Sequence, residues 1–144
     1  MWYLPTSSRS LVGALDGLPS HRWGRVVSRR FTGFPPEVKE LIWERAHGRC
    51  ERCNEYASDA TAHHRRPRGL GGSRREDTNV ASNGLWACGA CHRWAESYRT
   101  QAFADGWLVR QSQSPIQIPV LYRSQWVLLD DDGFVYRIPT EAAK

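Results

Sequence analysis

The sequence predicts an α+β fold built round a metal centre, and three observations predict it. Two Cys-x-x-Cys pairs, Cys50/Cys53 and Cys88/Cys91, bracket a short β-prone run that ends in adjacent histidines, His63 and His64. Helical apolar periodicity precedes the first pair and follows the second. The tail then changes to three β-prone runs separated by turn residues. These shifts divide the chain into a basic, poorly structured arm at 1–34, a cysteine- and histidine-bearing domain at 35–106 and a β-meander extension at 107–144.

In order, the arm has no sustained apolar period, and its arginines Arg22, Arg25, Arg29 and Arg30 can be solvated or track a phosphate backbone. Pro35-Pro36 opens a helix, because a Pro in the first turn removes only an N–H that would lack a partner there. Val38, Leu41, Ile42 and the stem of Arg45 follow the i, i+3, i+4, i+7 stripe. Glu37 and Glu40 suit the positive end of the helix dipole, and Gly48 is a natural stop. Residues 60–64, Ala-Thr-Ala-His-His, read as a short strand. Pro67, Gly69, Gly71 and Gly72 force an irregular loop, Asp77-Thr-Asn79 reads as a turn, and residues 83–86 lead into the second cysteine pair. Cys91, Trp94, Ala95, Tyr98 and Ala102 share a second helical stripe that Asp105-Gly106 ends. Residues 120–122, 126–129 and 134–138 form the meander, joined at Arg123-Ser-Gln125 and Asp130-Asp-Asp-Gly133. Trp43, Trp94, Trp107 and Trp126 fall in apolar patterns and are expected in the core. His21 and His47 are expected at the surface, and the three aspartates in a solvated turn.

Composition narrows the function. The chain of 144 residues is 40% hydrophobic, enough for a modest core. No apolar run approaches the ~20 residues of a membrane span. With no secretory signal in residues 1–17, four cysteines in two C-x-x-C pairs favour metal over disulfides and an intracellular setting, with no membrane partner. The net charge is +5, and residues 22–75 carry 13 Lys+Arg against 6 Asp+Glu, whereas residues 96–144 carry 5 against 6. The basic excess therefore surrounds the cysteines and histidines, and nearly all of it is arginine, which suits phosphate.

Cys50, Cys53, Cys88 and Cys91 predict a structural zinc. Each C-x-x-C turn supplies two corners of a tetrahedron, and a site closed by four thiolates has no position left for chemistry. The 34 residues between Cys53 and Cys88 exceed the usual ribbon spacing, so a subdomain is inserted there. Three histidines are then left over. Alternation along a strand points His63 and His64 to opposite sides, so one can hold a metal while the other meets a water. His92 follows Cys91 by one residue, a turn of about 100° on a helix, and can share a second metal with His63 while Cys91 faces the first.

The run Cys50-x-x-Cys53, His63-His64-Arg-Arg-Pro67, Gly71-Gly72, Asp77-x-Asn79, Asn83-x-Leu85, Cys88-x-x-Cys91-His92 resembles the HNH endonuclease family, most closely its short bacteriophage members. The resemblance covers about residues 50–99. It implies a ββα-metal nuclease core with an accessory four-cysteine zinc, and a metal-dependent DNA endonuclease that hydrolyses phosphodiester bonds. By the same resemblance His64 is the general base, and His63 and His92 hold the catalytic divalent metal. Asn83, five positions before Cys88, is implied to fix the loop and orient the base, with Asn79 as the alternative; either is also a turn or cap residue. Beside the base, Arg65, Arg66 and Arg68 are expected to hold the phosphate, and Arg74 and Arg75 the flanking phosphates.

His63 stands where many members carry a carboxylate. That leans the metal toward Mn2+, Ni2+ or Zn2+ relative to Mg2+, without excluding Mg2+. The likeness to phage proteins further implies a bacterial host cytoplasm and a partner among phage terminase or packaging proteins. Two other classes compete: a non-catalytic zinc-stabilised module that binds nucleic acid, which needs the cysteines and arginines but not His64, and an adaptor of phage assembly that uses the β tail.

Overall fold

The computed structural model of the protein describes residues 33–69 and 72–143. The first described helix, α1, spans Pro36–Ala46. Pro35 is its N-cap, and His47 ends it in the left-handed region at φ 53°, so that the N–H groups of His47 and Gly48 bond to the carbonyls of Glu44 and Trp43. Ile42 faces inward and is fully buried, while Trp43, one residue and about 100° further round, is half exposed, against the core position expected for it. Arg45 departs more instructively. Its whole side chain is buried, and it forms a two-pronged ion pair with Glu51 at 2.7 and 2.8 Å.

Two short strands follow, β1 at Thr61–His64 and β2 at Gly84–Ala87, paired antiparallel with His64 opposite Gly84 and His63 opposite Leu85. Between them lie 3-10 turns at Glu76–Thr78 and Ala81–Asn83. After β2 comes α2, Gly89–Ser97, capped by the Cys88 thiol, which accepts from the N–H of Cys91 at 3.4 Å. The single helix expected from 91 to 104 is two: Tyr98 breaks it at φ −107°, ψ 55°, and α3 runs Arg99–Ala104. No Pro or Gly stands at the break. It resets the helical phase, so Ala102 is buried while Tyr98, expected on the same stripe, is exposed.

The tail is the expected meander: β3 Val120–Tyr122, β4 Gln125–Leu129 and β5 Val135–Arg137, antiparallel in that order. Tyr122 pairs with Gln125, so the β3–β4 turn has two residues, Arg123 and Ser124, both at positive φ (47° and 67°). This is the backbone that matches strand twist, and it usually takes Asn or Gly. The strain at Arg123 is offset by what its side chain does. It donates to the carbonyls of Ala46 (2.6 Å), Arg49 (3.3 Å) and Cys50 (3.4 Å), capping the C-terminus of α1. At the β4–β5 turn the Asp130 carboxylate accepts from the N–H groups of Asp132 and Phe134 and from the Tyr136 hydroxyl, an ordinary Asx-type turn.

One apolar core joins β2, α2 and α3 to the meander. Leu85, Ala87, Ala95, Ala102, Trp107 and Leu108 pack with Val120, Val127 and Leu129. The division expected at 106/107 therefore cuts through a hydrophobic core, and the described residues fall in one compact unit. Phe34, assigned from the sequence to the arm, is buried against Ile42 and Ala81. The rest of the expected arm, up to residue 32, lies outside the described residues, as do Leu70 and Gly71 of the loop. Among the described residues no helix is long and apolar enough to cross a membrane.

Candidate functional site

The four cysteines meet. Their sulfur atoms all lie within 4.8 Å of one another, and Cys53 Sγ is 3.9 Å from Cys88 Sγ. A disulfide needs about 2.05 Å. A tetrahedron with Zn–S bonds of about 2.3 Å has edges of about 3.8 Å. The spacing fits zinc. The electrostatics fit too. Burial pushes the Cys50 thiol up, but the N–H groups of Cys53, Cys88 and Arg52 outweigh it and lower its pKa. Burial raises Cys53 and Cys91, and the charge on Cys50 raises both further. Thiols packed this closely cannot all ionise unless a cation lies among them, and ionised thiols are what zinc binds. When bound, the zinc supplies a cross-link between the 50–53 turn and the start of α2.

The histidines form a second, separate cluster. His63 is buried and leans toward α2. Its ring centre lies 4.8 Å from that of His92, edge to face, and its Nε2 is 3.4 Å from the Trp107 carbonyl. Burial first, and then His92, push His63 down to a pKa of about 4, so its ring is neutral at pH 7, the form that ligates metals. A carbonyl beside one ring nitrogen leaves the other nitrogen of His63 available to a ligand. His92 extends toward Glu96, one turn further along α2, at 3.6 Å.

His64 points the other way, as alternation along β1 requires. Its ring stacks on Phe34 with centres 3.8 Å apart and planes at 11°, and its Nε2 lies 2.9 Å from Asn79 Oδ1. An amide oxygen only accepts, so this bond puts the proton on Nε2 and leaves the lone pair on Nδ1. Burial lowers the pKa of His64 most, Arg68 lowers it further, and the bond to Asn79 opposes them. The stack needs Gly84: a Cβ there would lie 2.2 Å from Ile42 Cδ1 and 3.0 Å from Phe34 Cζ, the residues that hold the ring in place. His63, His64 and His92, with Arg68, Glu96, Arg99 and Leu108, line one cavity of about 340 Å³.

The two asparagines divide the task expected of one. Asn83 is fully buried and closes the 66–78 loop at its base: Oδ1 accepts from the N–H of Arg66 at 2.8 Å, and Nδ2 donates to the Thr78 carbonyl at 2.7 Å. The side chain that touches the His64 ring is that of Asn79.

Two of the arginines expected on phosphate are not available to it. Arg65 is fully buried. Its Nε and Nη atoms donate to the carbonyls of Gly106, Ser82, Pro115, Ile118 and Pro119, at 2.7 to 3.4 Å. Burial brings its pKa down to about 9, still charged at neutral pH, and the surrounding carbonyl dipoles solvate that charge. Arg66 is also buried, pairing with Asp77 and donating to the Gln113 carbonyl. The five N–H groups of Arg65 are all used inside the fold, and Arg66 is held inside it by burial and the Asp77 pair. Arg68 does line the cavity, and Arg74 and Arg75 are exposed, with Arg75 beside Asp77 and bonded to the Gln111 carbonyl. Sequence reasoning missed Phe34, Glu96 and Arg99. Only Glu96 left a signal, its i+4 spacing from His92.

No family model, curated protein or solved structure matches the chain. The fold and site define a class: a small mixed α+β domain whose four cysteines are arranged for a structural zinc, with a histidine-lined cavity beside it.

Proposed function

We propose that the protein is a metal-dependent HNH-type DNA endonuclease with a ββα-metal core. One observation carries the reading: His64, held by Asn79 and Phe34, lines the same cavity as a facing histidine pair, His63 and His92, apart from the four-thiolate cluster. A zinc-stabilised binding module has no use for an imidazole whose tautomer is set by a dedicated amide.

In this reading His64 Nδ1 takes a proton from the attacking water as its oxygen bonds to phosphorus. The bond from phosphorus to the 3′ oxygen breaks on the opposite side, and that oxygen leaves as a hydroxyl after protonation from solvent. Asn79 holds the proton on Nε2, so that Nδ1 remains the basic atom, and Phe34 fixes the plane of the ring. Asn83 keeps the loop that carries Asn79 closed on the sheet. His63 and His92 are the residues that would hold the divalent cation, which supplies charge neutralisation at the phosphate and the departing oxygen. The donors fit it: two imidazoles in a cavity open to substrate, a set that favours Mn2+, Ni2+ or Zn2+ without excluding Mg2+.

Nicking of supercoiled plasmid by the full chain with added Mg2+, Mn2+ or Ni2+ tests the reading. His64→Ala should abolish nicking and keep the fold and DNA affinity. Asn79→Leu should cut the rate about 10- to 100-fold, with Asn79→Asp, which keeps an acceptor at Nε2, recovering part of it. A His64→Ala protein that nicks like the wild type sinks the proposal. A wild type that binds DNA and never nicks returns the protein to the class of zinc-stabilised nucleic-acid-binding modules.

A further inference from the structure

With Arg65 and Arg66 committed to the interior, something else has to meet the substrate's charge. The structure supplies it from a part of the chain outside the sequence motif. Arg99, the first residue of α3, lines the histidine cavity together with Arg68. Its guanidinium carbon lies over the Phe103 ring, 5.6 Å from the centre, and that of Arg110, four residues beyond Gly106, lies over the same ring at 4.9 Å. Both arginines are exposed. The ring restrains the long side chains before any ligand arrives and leaves their charged ends in solvent, which lowers the ordering cost of binding. The acidic groups nearby are engaged along their own helices: Glu96 faces His92, and Asp105 accepts from Gln101 at 2.8 Å.

We propose that Arg99 and Arg110 form the surface that carries the phosphate backbone of DNA away from the histidine cavity. The strip begins at the cavity wall with Arg99 and continues over Phe103 to Arg110. The occupant is a polyanion with regularly spaced phosphates, because two exposed guanidinium groups held against one aromatic ring offer planar donors to successive phosphate groups. The inference rests on the nuclease reading for the direction of the strand, but not for the binding itself.

The test is fluorescence anisotropy of a labelled DNA duplex with the zinc-loaded full chain carrying His64→Ala, titrated across salt concentrations. Each phosphate contact contributes about 0.9 to the slope of log affinity against log salt, so Arg99→Ala with Arg110→Ala should lower the slope by about 2. Arg99→Lys should retain the slope, because it keeps the charge. Arg137→Ala, on β5, is the control and should leave the slope unchanged. A double variant with the parent slope overturns the proposal, as does an Arg137→Ala loss equal to that of Arg99→Ala, or absence of DNA binding at low salt. Failure of the wild type to nick plasmid removes the nuclease reading alone and leaves the slope to decide the strip.

Discussion

The two sheets of this protein solve the same problem in opposite ways. The β1–β2 pair has four residues in each strand and is held by ions: Arg45–Glu51 beneath it, Arg65 beyond its end, and the cysteine cluster beside it. Glu51 even accepts from the N–H of Trp86 at 2.7 Å, so a strand amide is tied to the buried ion pair. The β3–β4–β5 meander is joined by tight turns, buries alternate residues such as Val120, Val127 and Leu129 on one face, and leaves β5 exposed along its whole length. A two-stranded ribbon is marginal alone. The first sheet therefore adds long-range polar contacts to the apolar side chains, Leu85 and Ala87, that it places in the core, and the second relies on local turns and apolar area. His63 and His64 stand on this short two-stranded sheet, which makes the site sensitive to residues far from it in sequence.

That contrast can be broken at its strongest point. Structural zinc in small domains contributes on the order of 10 kcal/mol to folding. Cys88→Ser, or chelation of the zinc, should therefore abolish cooperative unfolding, read by near-ultraviolet circular dichroism. A Cys88→Ser chain that stays folded and nicks DNA would show that the thiolates do not organise the first sheet.

Next in size is Arg65→Ala. It leaves carbonyls of Gly106, Ser82, Pro115, Ile118 and Pro119 without their donor in the core, and should cost about 3–5 kcal/mol, seen as a lowered urea midpoint. Arg65→Lys should recover only part of the loss, because an ammonium lacks the planar fork that reaches several carbonyls. A phosphate-binding Arg65 would instead leave stability unchanged and weaken DNA binding. The smallest effect belongs to the second sheet: Phe134→Ser, beside the exposed β5, should change stability by no more than about 0.5 kcal/mol in the same titration.

The legible parts were those whose causes are local. The Pro-Pro start of α1, the turn residues that divide the meander, the alternation that turns His63 and His64 apart, and the C-x-x-C spacing all act within a few residues, and each is found in the structure. Arg65 and Arg66 were misread because an arginine next to a histidine pair looks the same whether it faces solvent or five carbonyls. The carbonyls that decide it come from residues up to 54 positions away. Asn79 and Asn83 could not be separated for the same reason: both suit a turn, and only the closure of the loop shows which one reaches the imidazole.

By itself, then, the sequence determined the mixed α+β class, the thiolate set and the identity of the histidines that come together, because ligand chemistry and short-range periodicity are carried by residue type and spacing. The tertiary structure alone decided which polar side chains are spent inside. Burial makes an unpaired charge costly, so Arg45, Arg65 and Arg66 take partners from distant segments, and the cavity's outer charge falls to Arg68 and Arg99. It also decided that residues 107–144 share the core of the domain: Trp107 is buried, and its indole N–H donates to the Leu121 carbonyl at 3.0 Å, a contact no local pattern encodes.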